Sequence, residues 1–530
     1  MPNQNFFLRT SARSGVALLI LASALNRFGF NLLSVTVRPE HLAFVLVAVF
    51  WITARMRARR RPLLLWDDWL LALYVLIACV ASVFNAPQPL ESLRFVGLMI
   101  FGVLLYVLVR DLAAEPRVWQ FGVVVLLLVA GAQALLGIVT WALFPFGLNF
   151  GIREYFWGFA DLLADGCNYT FAPSGTLHES NIFASYVAAG SLLALVFLLS
   201  RTRTIFPRFV GFIRIGKFSN LALTALWVLM LIALGLALSR GAWLGLAAGL
   251  AWVVWQVRTP SLAARVSYGL GAVSIVLVAV AVSVQLSPTL IRLPQATRAE
   301  QIAACEAQRQ QARAITAPAT VATPTATPTS TRPFASITRA PTRAGTPQPT
   351  AVPKPTRLPT VALPAVPSGL APLLERALLT RTLSARLEVY LLALNDWQQH
   401  PWLGHGANAF VQNYRDAMAI TEITWVSNLF LMALYDTGLV GLIVLASWFV
   451  ALAWAVVRRR RGARSQLSAS LLDALIASSL ALLVAYQFTS ALWLGVTWVY
   501  LGLLRAGIIT AEAASDDGED VGAPTRPSAK

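Results

Sequence analysis

Long apolar stretches, separated by short polar turns, run along most of this chain. A bilayer core takes about 20 apolar residues per helix, and the stretches of that length predict about twelve membrane spans. We place them near residues 14–35, 40–54, 68–85, 94–110, 118–144, 181–200, 220–238, 242–257, 266–286, 425–456, 468–488 and 490–505. The pattern predicts an all-α polytopic membrane protein.

The spans fall into two groups around one large loop. Residues 1–286 hold about nine of the predicted spans, residues 287–424 form the loop, residues 425–505 hold the remaining spans, and residues 506–530 form a tail. A shorter loop over residues 147–180 precedes the sixth span. The chain is therefore divided by its loops into an amino-terminal and a carboxyl-terminal set of membrane helices.

The large loop has three parts of different character. Residues 294–315 have the pattern of a charged amphipathic helix, residues 316–367 are a tract of Pro, Thr and Ala, and residues 370–424 are again helical in pattern. The tract lacks the apolar residues that offset the entropy of ordering a chain. We expect a disordered Pro/Thr linker between two helical segments.

Basic residues mark one side of the membrane. Every second loop carries arginine or lysine, whereas the alternate short loops, such as residues 85–92, are nearly free of them. Short cytoplasmic loops carry this excess of positive charge. The bias predicts that both termini are cytoplasmic and that both long loops lie at the outer face of the inner (cytoplasmic) membrane.

Composition supports a membrane protein and argues against a nucleic-acid partner. Hydrophobic residues make up 57% of the chain, charged residues 12%, and the mean hydropathy is +0.66. The net charge of +18 is mostly the orientation signal of the short loops. The outer loop is also basic, which predicts attraction either to an anionic lipid-linked substrate or to anionic headgroups, and both interpretations remain open.

Cysteine and histidine give no pattern of metal ligands. The chain has three cysteines and four histidines and lacks closely spaced ligand pairs, a Walker-type loop and a GxSxG elbow. We expect no metal and no cofactor. Cys79 falls in a predicted span and is most simply a packing residue, whereas Cys167 and Cys305 fall in outer segments, where a disulfide is chemically allowed.

Arg240 is the only charged residue from Phe218 to Val257. The apolar stretch is too long for one span, so Arg240 is predicted at the turn between two spans, on the outer face. A guanidinium offers a planar fork of donors that suits phosphate oxygens. Extension of the side chain to lipid headgroups is the alternative.

Four sequence blocks carry a resemblance to a known family. They are Gly175–Asn181 (GTLHESN), Ser239–Gly245 (SRGAWLG), Trp397–Phe410 (with HPWLGHG) and Asn428–Gly441 (NLFLMALYDTGLVG). Their order, with the large loop between the second and third, resembles the O-antigen ligase and O-antigen polymerase superfamily. The resemblance covers a core of about residues 175–441.

The resemblance implies a metal-independent membrane glycosyltransferase. Its donor would be a polyprenyl-pyrophosphate-linked glycan and its acceptor a second glycan, a lipid or a protein. Arg240 and Arg386, grouped with Arg381, match arginines that hold the pyrophosphate leaving group, whose growing negative charge two guanidiniums can neutralise. A surface ion pair of Arg386 with Glu388 or Asp396 is the alternative.

The residue that would activate the acceptor hydroxyl is not where the resemblance places it. A His-Asn pair is expected at the start of the span after the large loop, and this chain has Ser427 and Asn428 there. The candidate catalytic bases are His405, His178 and Asp396, and a histidine with a pKa of about 6.5 suits this role. Each of these residues is also compatible with a structural role.

Further residues are assigned supporting roles, and two other functions stay open. Ser239 adjoins Arg240, Asn181 begins the sixth span, and His400 orders the His-Pro turn, with Ser427 and Asn428 nearby. A lipid-linked glycan transporter (flippase) is one alternative, although membrane-embedded charges are scarce and no internal repeat is evident. A non-catalytic family member that binds polyprenyl-linked sugars is the other, motivated by Ser427.

Overall fold

The structure is a computed structural model of the chain. It describes residues 2–32, 35–59, 64–143, 160–165, 168–177, 179–199, 218–256, 270–271, 273–274, 278, 380–418, 425–460, 466–489 and 492–516. Several predictions therefore lie outside the described residues: His178, the pair Cys167 and Cys305, the amphipathic helix over 294–315, the Pro/Thr tract and most of the span over 266–286. Apart from Arg381, the residues discussed below belong to one compact unit, Met1–Glu306 with Ala385–Lys530. Of the second unit, Ala307–Ser384, only residues 380–384 are described.

Helices make up most of the described residues. They are α1 Pro2–Ala24, α2 Pro39–Arg57, α3 Asp68–Phe84, α4 Pro89–Leu112, α5 Pro116–Leu143, α6 Ser180–Leu199, α7 Phe218–Leu236, α8 Arg240–Gln256, α9 Thr380–Trp397, α10 Ala409–Met418, α11 Leu429–Arg460, α12 Gln466–Ala485 and α13 Gly495–Asp516. Two antiparallel hairpins accompany them, β1 Phe30–Leu32 with β2 Val35–Val37 and β3 Ala160–Asp165 with β4 Asn168–Pro173. The fold is predominantly helical, as the all-α prediction requires, and the two short hairpins were not part of that prediction.

Several of these helices are long and apolar enough to cross a membrane. Within the described residues the six such helices are Pro39–Arg57, Pro89–Leu112, Pro116–Leu143, Ser180–Leu199, Leu429–Arg458 and Ser468–Ala485. Shorter apolar helices are Thr10–Ala24, Asp68–Phe84, Leu221–Leu236 and Gly495–Ala511. The chain is a multi-pass membrane protein, as its hydrophobic pattern indicates, and the count of about twelve spans stays a prediction.

The first helix ends before its predicted limit at residue 35. α1 stops at Ala24, and a turn and the β1–β2 hairpin follow. The backbone N–H of Arg27 donates to the Thr176 carbonyl at 3.1 Å, and its guanidinium donates to Ser174 Oγ at 3.0 Å and to the Leu177 carbonyl at 3.3 Å. These contacts to the loop before α6 replace helical hydrogen bonds, so tertiary structure overrides the apolar pattern.

The carboxyl-terminal spans are also shifted from their predicted bounds. α11 begins at Leu429 rather than 425, and α13 begins at Gly495 rather than 490. α13 also continues past residue 505, and Ala506 and Ile508 are fully buried. Residues at the start of the predicted cytoplasmic tail are therefore part of the helical bundle.

Helices α8 and α12 approach each other closely through glycine. A Cβ atom at Gly245 would collide with the carbonyl oxygen of Ala481, and one at Gly249 would lie 2.8 Å from the carbonyl oxygen of Ala477. Small residues at four-residue spacing allow such contact between membrane helices. Because α8 starts at Arg240, this packing fixes where the Ser-Arg-Gly block lies.

Three ion pairs, two of them buried and one partly exposed at Arg55, join the helix ends at the predicted cytoplasmic side. The pairs are Arg110 with Asp68, Arg505 with Asp67, and Arg55 with Asp111. They connect α2, α3, α4 and α13, and the side chain of Arg110 is completely buried. Charge that is buried in this way is stable only when paired.

Candidate functional site

Arg240 opens helix α8 at a tight turn. Leu238 has a φ of +53°, and the N–H of Trp243 donates to the Ser239 carbonyl at 3.2 Å, which places the buried Ser239 at the helix N-terminus. Arg240 itself is half-buried. The exposed N–H groups and positive dipole end of a helix start favour an anion, so the turn and the guanidinium have the same preference.

Arg386, on α9, is held by the turn that follows α12. Its Nη1 donates to the carbonyl oxygen of Phe488 at 2.7 Å. Phe488 also packs on the Ser-Arg-Gly block, since a Cβ at Gly241 would lie only 2.7 Å from the Phe488 Cβ. The structure thus brings Arg240 and Arg386 together across Phe488.

The two arginines also interact electrostatically. Partial burial and then the positive charge of Arg386 lower the pKa of Arg240. Two positive charges that interact in this way destabilise each other, and an anion bound between them would relieve the repulsion. Within the described part of the chain, Arg386 forms no ion pair with Glu388 or Asp396, which was the alternative interpretation of this residue.

Asn428 joins the same turn to the start of α11. Its Oδ1 accepts from the N–H of Leu431 at 2.9 Å, as an N-cap side chain does, while its Nδ2 donates to the Gln487 carbonyl at 3.3 Å. The N–H of Leu429 donates to the Tyr486 carbonyl at 3.0 Å. Residues 486–488 therefore hold α9 and α11 together with the first turn of α8.

Ser427 occupies the position at which the resemblance leads us to expect histidine. Its Oγ bonds the nearby Trp425 carbonyl at 3.5 Å, and its own carbonyl accepts from the Tyr390 hydroxyl at 2.9 Å. The Ser427 side chain is thus engaged with local backbone. We name the group of Arg240, Arg386, Asn428 and the turn over residues 486–488 the arginine cluster.

His405 and Asp396 lie in a second, buried cluster. His405 Nε2 is 3.0 Å from the Asp396 carbonyl oxygen, and its ring stacks on Tyr435 with 4.6 Å between ring centroids. The Asp396 carboxylate accepts from the Tyr435 hydroxyl at 2.6 Å and from Gln399 Nε2 at 2.8 Å. Burial lowers the pKa of His405 despite these contacts with Asp396, so the imidazole is neutral at neutral pH.

This second cluster is separate from the arginine cluster. Asp396 follows Arg386 by ten residues on α9, and a rise of 1.5 Å per residue puts them about 15 Å apart along the helix. His400 is exposed and contacts His405 edge-on, with 4.8 Å between ring centroids. The structure therefore brings His400, His405 and Asp396 together but not beside the two arginines.

The His-Pro block inserts into a break in α11. Gly438 has a φ of +65°, which interrupts the helix. The N–H groups beyond the break donate outside the helix, from Leu439 to the Pro401 carbonyl at 2.9 Å and from Val440 to the Trp402 carbonyl at 3.2 Å. Two of the blocks that suggested chemistry in the sequence thus complete each other's backbone hydrogen bonds.

The loop before α6 is anchored by a buried polar network. The N–H of Thr176 donates to Gln133 Oε1 at 3.0 Å, and Gln133 Nε2 donates to the Ala24 carbonyl at 3.1 Å. Asn181 follows in the first turn of α6 and is half-buried. For Arg381, the structure describes only the backbone, within α9.

Sequence reasoning missed Tyr390, Gln487 and Phe488. The last two act through their backbone carbonyls, which carry no signal in side-chain identity. Tyr390 follows Arg386 by four residues on α9 and so shares its helix face. That spacing was the available signal.

Comparison with known families finds a match that covers three of the four sequence blocks. Residues 225–446 match a family model described as O-antigen ligase. The matched region includes Arg240, Arg386 and Asn428, and it ends before the turn over residues 486–488. No curated protein matches the chain.

Proposed function

We propose, since this chain belongs to the O-antigen ligase and polymerase superfamily, that it transfers a polyprenyl-pyrophosphate-linked glycan to an acceptor hydroxyl at the outer face of the cytoplasmic membrane. The observation that carries this proposal is the convergence of Arg240 and Arg386 on Phe488. Two guanidiniums beside a helix N-terminus match the charge and shape of a diphosphate.

The reaction requires charge stabilisation at the leaving group. The acceptor oxygen attacks the anomeric carbon, the bond from that carbon to the phosphate oxygen breaks, and the polyprenyl pyrophosphate leaves with an added negative charge. Arg240 and Arg386 are proposed to donate hydrogen bonds to its oxygens, in the role that a divalent ion has in other transferases. Held in advance by the Phe488 carbonyl, Arg386 needs little reorganisation during the reaction.

The acceptor proton must pass to a base, and His178 is our first candidate. It precedes α6, and the charge bias of the loops predicts that α6 and α8 both start at the outer face. His405 and Asp396 are buried and bonded to each other, and Asp396 lies about 15 Å along α9 from Arg386. We therefore propose structural roles for these two residues.

A transfer assay with purified protein in nanodiscs tests the proposal. The donor is a polyprenyl-pyrophosphate oligosaccharide from the native host, and products are separated by gel. A ladder of products indicates a polymerase and one shifted acceptor band a ligase. Arg240→Ala should abolish either product, whereas Arg94→Ala, at an exposed arginine of α4, serves as the matched control.

Two outcomes would favour the other functions. Donor binding without any product would support a non-catalytic member, the alternative motivated by serine in place of the expected histidine at position 427, and Ser427→His would then be the variant to test. Movement of donor across the bilayer without covalent transfer would support a lipid-linked glycan transporter. Full transfer by Arg240→Ala would contradict the pyrophosphate assignment.

A further inference from the structure

Tyr390 lies on α9 beside the turn over residues 486–488 of the arginine cluster. Its hydroxyl donates to the Ser427 carbonyl at 2.9 Å and lies 3.4 Å from the Gln487 carbonyl oxygen. Arg386 lies one helical turn earlier on the same face of α9 and donates to the adjacent Phe488 carbonyl. Tyr390 therefore ties the segment of α9 that carries Arg386 to α11 and to the turn after α12.

We infer that Tyr390 is a positioning residue that holds the Arg386 guanidinium toward Arg240. The inference rests on the proposed pyrophosphate site and adds a residue to it. An arginine side chain loses rotamer entropy when it is held in one geometry, so a guanidinium that faces a like charge needs fixed support. The Phe488 carbonyl holds the guanidinium, and the Tyr390 hydroxyl fixes the stretch of α9 that carries it against the same turn.

The phenol acts as a hydrogen-bonding group and not as a base. Burial raises the pKa of Tyr390 even though the charge of Arg386 opposes the shift, so the hydroxyl keeps its proton at neutral pH. Its proton is directed at backbone carbonyls of residues 427 and 487. Removal of the hydroxyl would leave the aromatic ring in place and release α9 from these two carbonyls.

A double-mutant cycle on the full-length protein in nanodiscs tests the inference. Binding of farnesyl diphosphate is measured by calorimetry for the unmodified protein, Tyr390→Phe, Arg386→Ala and the double variant, with thermal unfolding in parallel. We expect Tyr390→Phe to weaken binding about tenfold, the value of one misplaced hydrogen bond from Arg386 to the diphosphate, at a nearly unchanged unfolding temperature. With Arg386 already replaced, Tyr390→Phe should have no additional effect.

Tyr414→Phe is the matched control, because Tyr414 is also a half-buried tyrosine of the outer loop but interacts with Asp396. Its farnesyl diphosphate affinity should not change. Unchanged binding in Tyr390→Phe, or effects of Tyr390→Phe and Arg386→Ala that simply add, would overturn the positioning role. If Tyr390→Phe lowers the unfolding temperature, Tyr390→His, which keeps a hydrogen-bond donor, is tested in its place. Recovered farnesyl diphosphate affinity in Tyr390→His supports the positioning role. Affinity that falls in step with stability in both variants overturns the positioning role.

Adding Arg240→Ala to the same binding series separates this inference from the proposed function. If Arg240→Ala and Arg386→Ala both bind farnesyl diphosphate as the unmodified protein does, the pyrophosphate site itself is wrong and the role of Tyr390 falls with it. If both arginine variants lose affinity but Tyr390→Phe is additive with Arg386→Ala, only the positioning role is refuted.

Discussion

Gly241→Ala is the sharpest test of the arginine cluster, because it adds one methyl group at the contact that joins the two arginines. The new Cβ would lie 2.7 Å from the Phe488 Cβ and 3.1 Å from its Cγ. An ordinary carbon–carbon contact is about 3.5–4.0 Å, so Phe488 must move by about 1 Å. The clash is with the atom next to the backbone, so a change of rotamer does not relieve it.

The displacement would be transmitted to Arg386. Its hydrogen bond to the Phe488 carbonyl is 2.7 Å long, and a shift of about 1 Å takes it beyond hydrogen-bonding distance. Misplacement of a reacting group by about 1 Å costs about 100-fold in rate. We expect a loss of that size in glycan transfer, together with weaker farnesyl diphosphate binding.

Transfer rate, diphosphate affinity and thermal unfolding are measured on the same nanodisc preparation. Gly97→Ala is the matched control, since a Cβ at Gly97 on α4 meets nothing within 4 Å. It should leave transfer unchanged. Normal transfer by Gly241→Ala would refute the argument that Phe488 fixes the position of Arg386, whatever the effect on stability.

Three further predictions concern Arg386, His405 and the buried ion pairs. Arg386→Lys should raise the KM for donor about tenfold, because an ammonium keeps the charge but lacks the planar fork; an unchanged KM would argue against direct phosphate contact. Burial lowers the pKa of His405 below its unfolded value, so its contribution to stability is present above about pH 6.5 and is lost as the pH falls further. His405→Gln should therefore flatten this part of the pH dependence of stability, measured by thermal unfolding. Asp68→Asn leaves Arg110 buried without its carboxylate and should destabilise the protein by about 3–5 kcal/mol in denaturant unfolding, whereas Arg94→Ala should not.

The structure changes the interpretation of the His-Pro block. In the sequence, His405 between two glycines was a candidate base, and Asp396 was another. In the fold, the block bonds the N–H groups exposed by the break at Gly438, and His405 is packed between Asp396 and Tyr435. These contacts explain the residue types without any chemistry, although the role of each residue in catalysis stays a prediction.

The sequence by itself determined the membrane class, because burial in lipid requires runs of apolar residues whose length is set by the bilayer. It also indicated Arg240, since a single charge in a long apolar stretch must lie at a membrane face or be paired. Arg386 and Asn428 followed only from the resemblance, because nothing in their own neighbourhoods distinguishes them from other loop residues.

Tertiary structure alone decided what surrounds these residues. Phe488 lies 102 positions from Arg386 and contributes a backbone carbonyl, which no side-chain pattern reports. The early end of α1 depends in the same way on Arg27, whose partner Thr176 lies far along the chain. The sequence shows which groups need hydrogen-bond partners. The partners are determined only by packing, here by the close approach of α8 and α12, which brings distant backbone within hydrogen-bonding distance.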